Sequence, residues 1–173
     1  PLFNMLGFKD EILPQTSYTI AIGNLNELDE RLEESEQCSI LKVKLGTPDN
    51  DKEIIRRIRK KTDKLIRIDA NEGWDYEMAK SMAFWLADMN VEFIEQPFSA
   101  LNLKDTKRLK SISPLPLIAD ENSISSNDLN GLVDCFDGIN IKLMKCGSFD
   151  EALKMIDLAK KLIHLSGRNI SAE

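Results

Sequence analysis

The sequence runs to 173 residues, 42% hydrophobic and 30% charged, which is enough for one well-cored domain and too little for two sizeable ones. A net charge of −6 leaves no basic stripe for a phosphate backbone, arguing against nucleic acid as a partner. No apolar run approaches the length of a bilayer span and no basic-then-apolar leader opens the chain, so a soluble, cytoplasmic protein with no membrane partner is expected.

Short apolar runs alternate regularly with amphipathic stretches. Ser17–Ile22 reads as a strand, and Leu25–Glu36 as a helix with Leu25, Leu28 and Leu32 at spacings of three and four. Ile40–Lys44 is the second strand, followed by a helix over Asp49–Thr62 whose start is signalled by Pro48 and Asp49. The basic cluster Arg56, Arg57, Arg59, Lys60, Lys61 and Lys64 falls on and just past this helix and reads as a solvated face. Leu65–Asp69 is a strand, and Asp75–Met89 a helix with Met78, Met82, Trp85, Leu86 and Met89 on one core-facing side. Val91–Glu95 (strand), Leu101–Ser111 (helix), Leu117–Asp120 (strand), Asn127–Val133 (short helix), Gly138–Leu143 (strand) and Phe149–Leu162 (helix) complete the alternation. Cys38, Cys135 and Cys146 show no CxxC spacing and an odd count, which suits reduced thiols, and the single histidine, His164, reads as structural.

Strand–helix units joined this way build a parallel sheet covered by helices. An open doubly wound sheet would carry a Gly-rich first turn for phosphate, and none is present. A (β/α)₈ barrel instead gathers its chemistry at the C-terminal ends of successive strands. There this sequence keeps Lys42 and Lys44, then Asp69, Glu95, Asp120 and Lys142. The three acids recur at intervals of one unit, which places them on adjacent strands at one height. Converging carboxylates need a cation, and a donor set of oxygens without Cys or His suits Mg²⁺, with Mn²⁺ as a substitute. Against this stands the plainer reading of each acid as the N-cap of the following helix. Lys42 and Lys44 alternate around Val43 and so share a face. The plainer reading of Lys142 and Lys145 alike is an ordinary surface lysine, but Lys142 comes from the sixth strand, where a lysine inside an apolar run such as Ile139–Leu143 favours function. A lysine beside a dication and other ammonium groups has a lowered pKa and can serve as a base.

The segments Leu41-Lys42-Val43-Lys44, Asp69-Ala70-Asn71-Glu72-Gly73-Trp74, Glu95-Gln96-Pro97, Ala119-Asp120-Glu121-Asn122 and Asn140-Ile141-Lys142-Leu143-Met144-Lys145-Cys146-Gly147 occur in that order. Together they resemble the barrel domain of the muconate-lactonizing branch of the enolase superfamily, and most closely its dipeptide epimerases, from about Thr16 to Leu162. The resemblance implies a partial (β/α)₈ barrel of about six units spanning residues 16–162. Residues 1–15 would be the remnant of a capping domain and residues 163–173 a divergent tail. It implies Asp69, Glu95 and Asp120 as Mg²⁺ ligands, with Lys44 and Lys142 exchanging the α-proton of a carboxylate or dipeptide substrate on opposite faces. Lys42 would tune Lys44 and meet substrate charge, Asn71 and Gln96 would support the ligands, and Glu121 would lie near the acid–base groups. A muconate cycloisomerase, an o-succinylbenzoate synthase or an inactive remnant are the alternatives, and a homo-oligomer is left open. Two positions depart from the family pattern, Asn122 where Ser is usual and Ser148 where a second Gly is usual; the latter is expected to perturb the turn after the sixth strand. The chain also looks cut short at both ends, so marginal stability and poor catalysis are expected.

Overall fold

The computed structural model describes residues 15–21, 27–47 and 49–166, with side chains up to Leu162. The expected capping remnant (apart from Gln15), Ile22, Leu25, Pro48, the His164 side chain and most of the expected tail lie outside these residues. The elements are β1 (Ser17–Ile20), α1 (Leu28–Glu34), β2 (Ile40–Lys44), α2 (Asp51–Lys61), β3 (Leu65–Asp69) and α3 (Tyr76–Ala87). They continue as β4 (Val91–Glu95), α4 (Leu103–Lys110), β5 (Leu117–Ala119), α5 (Leu129–Leu132), β6 (Gly138–Ile139), α6 (Leu143–Cys146) and α7 (Phe149–Ser166). All six strands form one sheet in chain order, each parallel to its neighbour. Sequential parallel pairing with a helix in every crossover is the arc of a barrel.

Each strand sorts its side chains by alternation. Leu41, Val43, Ile66, Ile68, Ile94, Leu117 and Ala119 pack into the core between sheet and helices, against Ile55 and Ile58 of α2, Met82 and Leu86 of α3, Leu109 of α4 and Met155 of α7. Fully burying one such side chain stabilises the fold by about 1.5–3 kcal/mol. The opposite face carries Lys42, Lys44, Arg67, Asp69, Phe93, Glu95 and Ile118, joined across the strands as Lys42↔Arg67↔Phe93 and Lys44↔Asp69↔Glu95↔Ile118. That phase depends on an irregularity that periodicity alone does not reveal. Ile66 pairs with Val91 but Arg67 pairs with Phe93, so Glu92 is an extra residue in β4. The bulge lets Val91 point into the core while Phe93 and Glu95 face the interior.

The opposite end of the sheet is stitched by cations. The Arg59 guanidinium, at the end of α2, donates to the carbonyls of Met89 (2.7 Å), Thr62 (3.0 Å), Lys64 (2.8 Å) and Asn90 (3.2 Å). The Lys64 ammonium donates to Ser35 O at 2.8 Å, and the Lys110 ammonium to Val133 O at 2.6 Å and to Phe136 O. Carbonyls at helix ends and in the turns beyond them lack intrahelical donors, and these cations supply them. Arg59 and Lys64 therefore do structural work in what sequence reads as a solvated face; Arg56, Arg57, Lys60 and Lys61 are exposed as expected.

The expected strand Gly138–Leu143 is corrected. The ladder stops at Ile139 because β5 ends at Ala119, whose carbonyl takes its last bond from Asn140 N at 2.7 Å. Leu143–Cys146 then turns into the short helix α6, closed by Gly147 at φ +80°. Ser148, expected to disturb this turn, instead caps the next helix: its Oγ accepts from Glu151 N at 3.1 Å. The helix α7 runs to Ser166, four residues beyond the expected end at Leu162.

Candidate active site

The ends of β2 to β6 bring the predicted site residues to one rim. Asp69 and Glu95 are direct register partners, each at most 2% exposed as a side chain. Asp120 does not sit level with them. Glu95 pairs with Ile118, so Asp120 stands two residues further along, just past β5. A two-residue step keeps it on the same face, and barrel strands are tilted and staggered in this sense.

Ammonium groups lie among the carboxylates. Lys42 Nζ bridges Glu95 Oε2 (2.5 Å) and Asp69 Oδ2 (3.2 Å), and Lys44 Nζ lies 3.4 Å from Asp69 Oδ2 and 3.3 Å from Asn71 Oδ1. On the far side Lys142 Nζ meets Asp120 Oδ2 at 2.5 Å. Lys44 and Lys142 thus flank the row of acids from opposite ends. Lys142 leaves its backbone extended at the start of α6, and its side chain is 41% exposed, unlike a lysine buried within a strand. Among the described residues no three Asp, Glu, Cys or His side chains are drawn together as a ready metal cluster. The donor set nonetheless suits a hard divalent cation, being three buried carboxylates on neighbouring strand ends with neither thiolate nor imidazole beside them.

The supporting residues each have a definite job. Asn71, at φ +46°, donates its backbone N–H to Asp69 Oδ1 at 3.1 Å while its own Oδ1 accepts from Lys44. Gln96, wholly buried and at φ +39°, accepts from Asp120 N at 2.9 Å and donates to Phe98 O (2.9 Å) and Asn122 Oδ1 (2.7 Å). Asn122 in turn donates to Ala100 O at 2.9 Å, so this departure from the family pattern extends the network. Glu121 carries a buried Oε2 that has no hydrogen-bond partner among the described residues.

Two residues at the rim escaped the sequence reading. Lys145 donates to both Oδ1 (2.6 Å) and the backbone carbonyl (3.0 Å) of Asp120, which no surface lysine would do. Asn140 donates to Glu95 Oε1 at 2.8 Å. Its spacing of two before Lys142, the same inward face, was the available signal for it. For Lys145 the helical turn of α6 brings it back toward Asp120, and the sequence reading assigned no helix between the sixth strand and the one beginning at Phe149.

Charge and burial compete here. Burial pulls the Lys42 ammonium down, but the Glu95 and Asp69 carboxylates together hold its pKa above the ordinary lysine value. Burial likewise pushes Asp120 up, yet the hydrogen bonds and charges of Lys142 and Lys145 leave it below the ordinary aspartate value. Glu121 is raised, by burial first and by the neighbouring Asp120 charge second.

A parallel βα arc with acids and lysines on its C-terminal rim defines a class of barrel catalytic domains, and the comparisons give the family. Residues 25–163 match the enolase C-terminal domain-like family, and the chain belongs to it. It is 42% identical over 164 residues to an L-Ala-D/L-Glu epimerase of Bacteroides thetaiotaomicron, covering 94% of this chain and 43% of that one. The crystal structure of a dipeptide epimerase from Cytophaga hutchinsonii, complexed with Mg and the dipeptide D-Ala-L-Val, superimposes with a TM-score of 0.82 at 32% identity, over 93% of this chain and 46% of that one. A 2-chloromuconate cycloisomerase from Rhodococcus opacus 1CP reaches a TM-score of 0.83 at 22% identity, over 94% and 47% of the two chains, a likeness of fold alone. The chain spans about half the length of these relatives.

Proposed function

We propose that this chain carries the catalytic rim of a Mg²⁺-dependent epimerase that inverts the carbon α to a carboxylate in a dipeptide such as L-Ala-L-Glu. The observation that carries the reading is the in-register row Lys44–Asp69–Glu95, continued by Asp120 and closed by Lys142 on the other flank. Asp69, Glu95 and Asp120 would hold the cation, with Mn²⁺ able to replace Mg²⁺. When bound it supplies a fixed positive charge against the negative charge that develops on a substrate carboxylate.

The remaining steps belong to the protein's own groups. As a free amine, Lys44 Nζ takes the α-proton from one face of the substrate, and Lys142 Nζ, as an ammonium, delivers a proton from the other; their roles reverse in the opposite direction. Asn71 holds the Lys44 side chain beside Asp69, and Gln96 fixes the Asp120 backbone. Lys42 brings a further positive charge to the substrate carboxylate, and Glu121 stands next to this acid–base group. The dipeptide epimerases among its relatives support the choice of substrate class. Incubating the purified chain with L-Ala-L-Glu and Mg²⁺ in D₂O, followed by ¹H NMR, tests the proposal. Loss of the glutamyl α-proton signal, stopped by chelator, is the expected result; no exchange, or exchange indifferent to chelator, would contradict it.

A further inference from the structure

Asp51 is the first residue of α2, and it is wholly buried. Its carboxylate accepts from Gly46 N at 3.1 Å, Thr47 N at 3.0 Å, Thr47 Oγ1 at 3.2 Å and the Trp74 indole N–H at 2.8 Å. A carboxylate at a helix start is commonplace, because it complements the N-terminal dipole. That role accounts for the bonds to Gly46 and Thr47 but not for the one to Trp74, which comes from the loop after the neighbouring strand. Burying a charge costs several kcal/mol unless its lone pairs are met, and here they are met by two different loops at once.

The same two loops are pressed together backbone to backbone. Leu45 N donates to Asp69 O at 2.8 Å. A Cβ on Gly46, whose φ is +109°, would lie 2.5 Å from Ala70 O, and one on Gly73 would lie 2.6 Å from Gly46 Cα. The segment that follows Lys44 therefore has one seat, against residues 70–74, and Asp51 bonds both sides of it. The strand ladder pairs Lys44 with Asp69 and Asp69 with Glu95. Lys44 leads into that seat from one side and Asp69 from the other, but the Asp69 side chain is packed at 1% exposure while that of Lys44 is 35% exposed, so Lys44 is the rim group that relies most on the seat.

We propose that Asp51 is a positioning residue for Lys44, clamping the loop after β2 to the loop after β3 through Gly46, Thr47 and Trp74. This rests on the reading above in which Lys44 and Lys142 serve opposite faces of the substrate, and it makes a prediction that mere support of the fold does not. Loss of the clamp impairs proton exchange on one face only.

The experiment follows α-proton exchange of L-Ala-L-Glu and L-Ala-D-Glu separately, with Mg²⁺ in D₂O, for the unsubstituted chain and for Lys44→Met, Asp51→Asn and Trp74→Phe. Lys44→Met identifies the epimer that Lys44 serves by abolishing its exchange. Asp51→Asn then lowers kcat for that same epimer about tenfold or more and leaves the other within about twofold, as expected when a reacting group is displaced by a fraction of an ångström to 1 Å. Trp74→Phe, which keeps an aromatic ring but removes the pyrrole half of the indole with its N–H, shifts the same epimer in the same direction, and serves if Asp51→Asn does not fold. Equal losses for both epimers, no loss, or loss confined to the other epimer would overturn the proposal. No exchange by the unsubstituted chain, or a Lys44→Met chain that exchanges both epimers, would instead remove the two-lysine reading and this inference with it.

Discussion

Gln96 shows what a single buried polar side chain does at this rim. Its amide joins the ends of β4 and β5 through Asp120 N, Phe98 O and Asn122 Oδ1. Gln96→Leu fills similar space but leaves those groups unpaired, and each unmet buried group costs about 1–3 kcal/mol. The variant is expected to lose about 2–4 kcal/mol of stability in urea unfolding, a sum of such unmet groups. Cys135 gives a prediction in pH. Burial pushes its thiol up, partly offset by the Lys107 ammonium. A thiol with a raised folded pKa binds its proton more tightly when folded, so its stabilising contribution is complete below the unfolded thiol's pKa and declines as pH rises through the folded value. At mildly alkaline pH the half-buried Cys38 and Cys146 should react with a thiol reagent while Cys135 waits for denaturant; prompt reaction of all three thiols would contradict this. At this scale the sequence was a good guide to Asp69, Glu95, Lys42 and Lys44, because strict alternation on a strand decides which way they point. It was a poor guide to Lys145 and Asp51, whose partners come from turns that alternation does not describe.

Elements here are held at both ends by particular side chains. At the α3 start, Asp75 accepts from Met78 N at 2.8 Å, and at the α7 start Ser148 accepts from Glu151 N. Ser148→Ala should cost about 1 kcal/mol, the usual value of an N-cap. At the other end of the sheet, Arg59 reaches four carbonyls with one planar fork. Arg59→Met keeps the apolar stem and is expected to destabilise by about 2 kcal/mol, with Arg59→Lys recovering little because an ammonium cannot span the same set. Thermal unfolding of the two variants side by side measures this. Strands β2, β3 and β4 were legible to the residue, since each is a short β-branched or apolar run closed by a charged residue, Lys44, Asp69 or Glu95. The sixth was overextended because Ile141 and Leu143 look like strand residues, although the neighbouring β5 has no further residue to pair with them. The Glu92 bulge was invisible for a related reason: an inserted residue changes which positions share a face without changing composition.

For the whole molecule, a parallel arc of six strands turns the residues at one strand end into a shared surface, and so makes remote sequence segments into one site. Order and motif made that architecture readable, since five short segments recur at strand ends in sequence. Asp120's step beyond its neighbours was not readable, because stagger is a property of the sheet and not of any one strand. Among the described residues no helix is long and apolar enough to cross a membrane. The claim on which the account depends is that Asp69, Glu95 and Asp120 act together, and the most direct measurement is a Mn²⁺-binding isotherm of the chain beside its Glu95→Gln variant. The account predicts one equivalent of Mn²⁺ for the unsubstituted chain, displaced by Mg²⁺, and an affinity lowered about tenfold or more by Glu95→Gln, as expected for loss of one charged oxygen donor. Binding that is absent, or equally tight in both proteins, would contradict it.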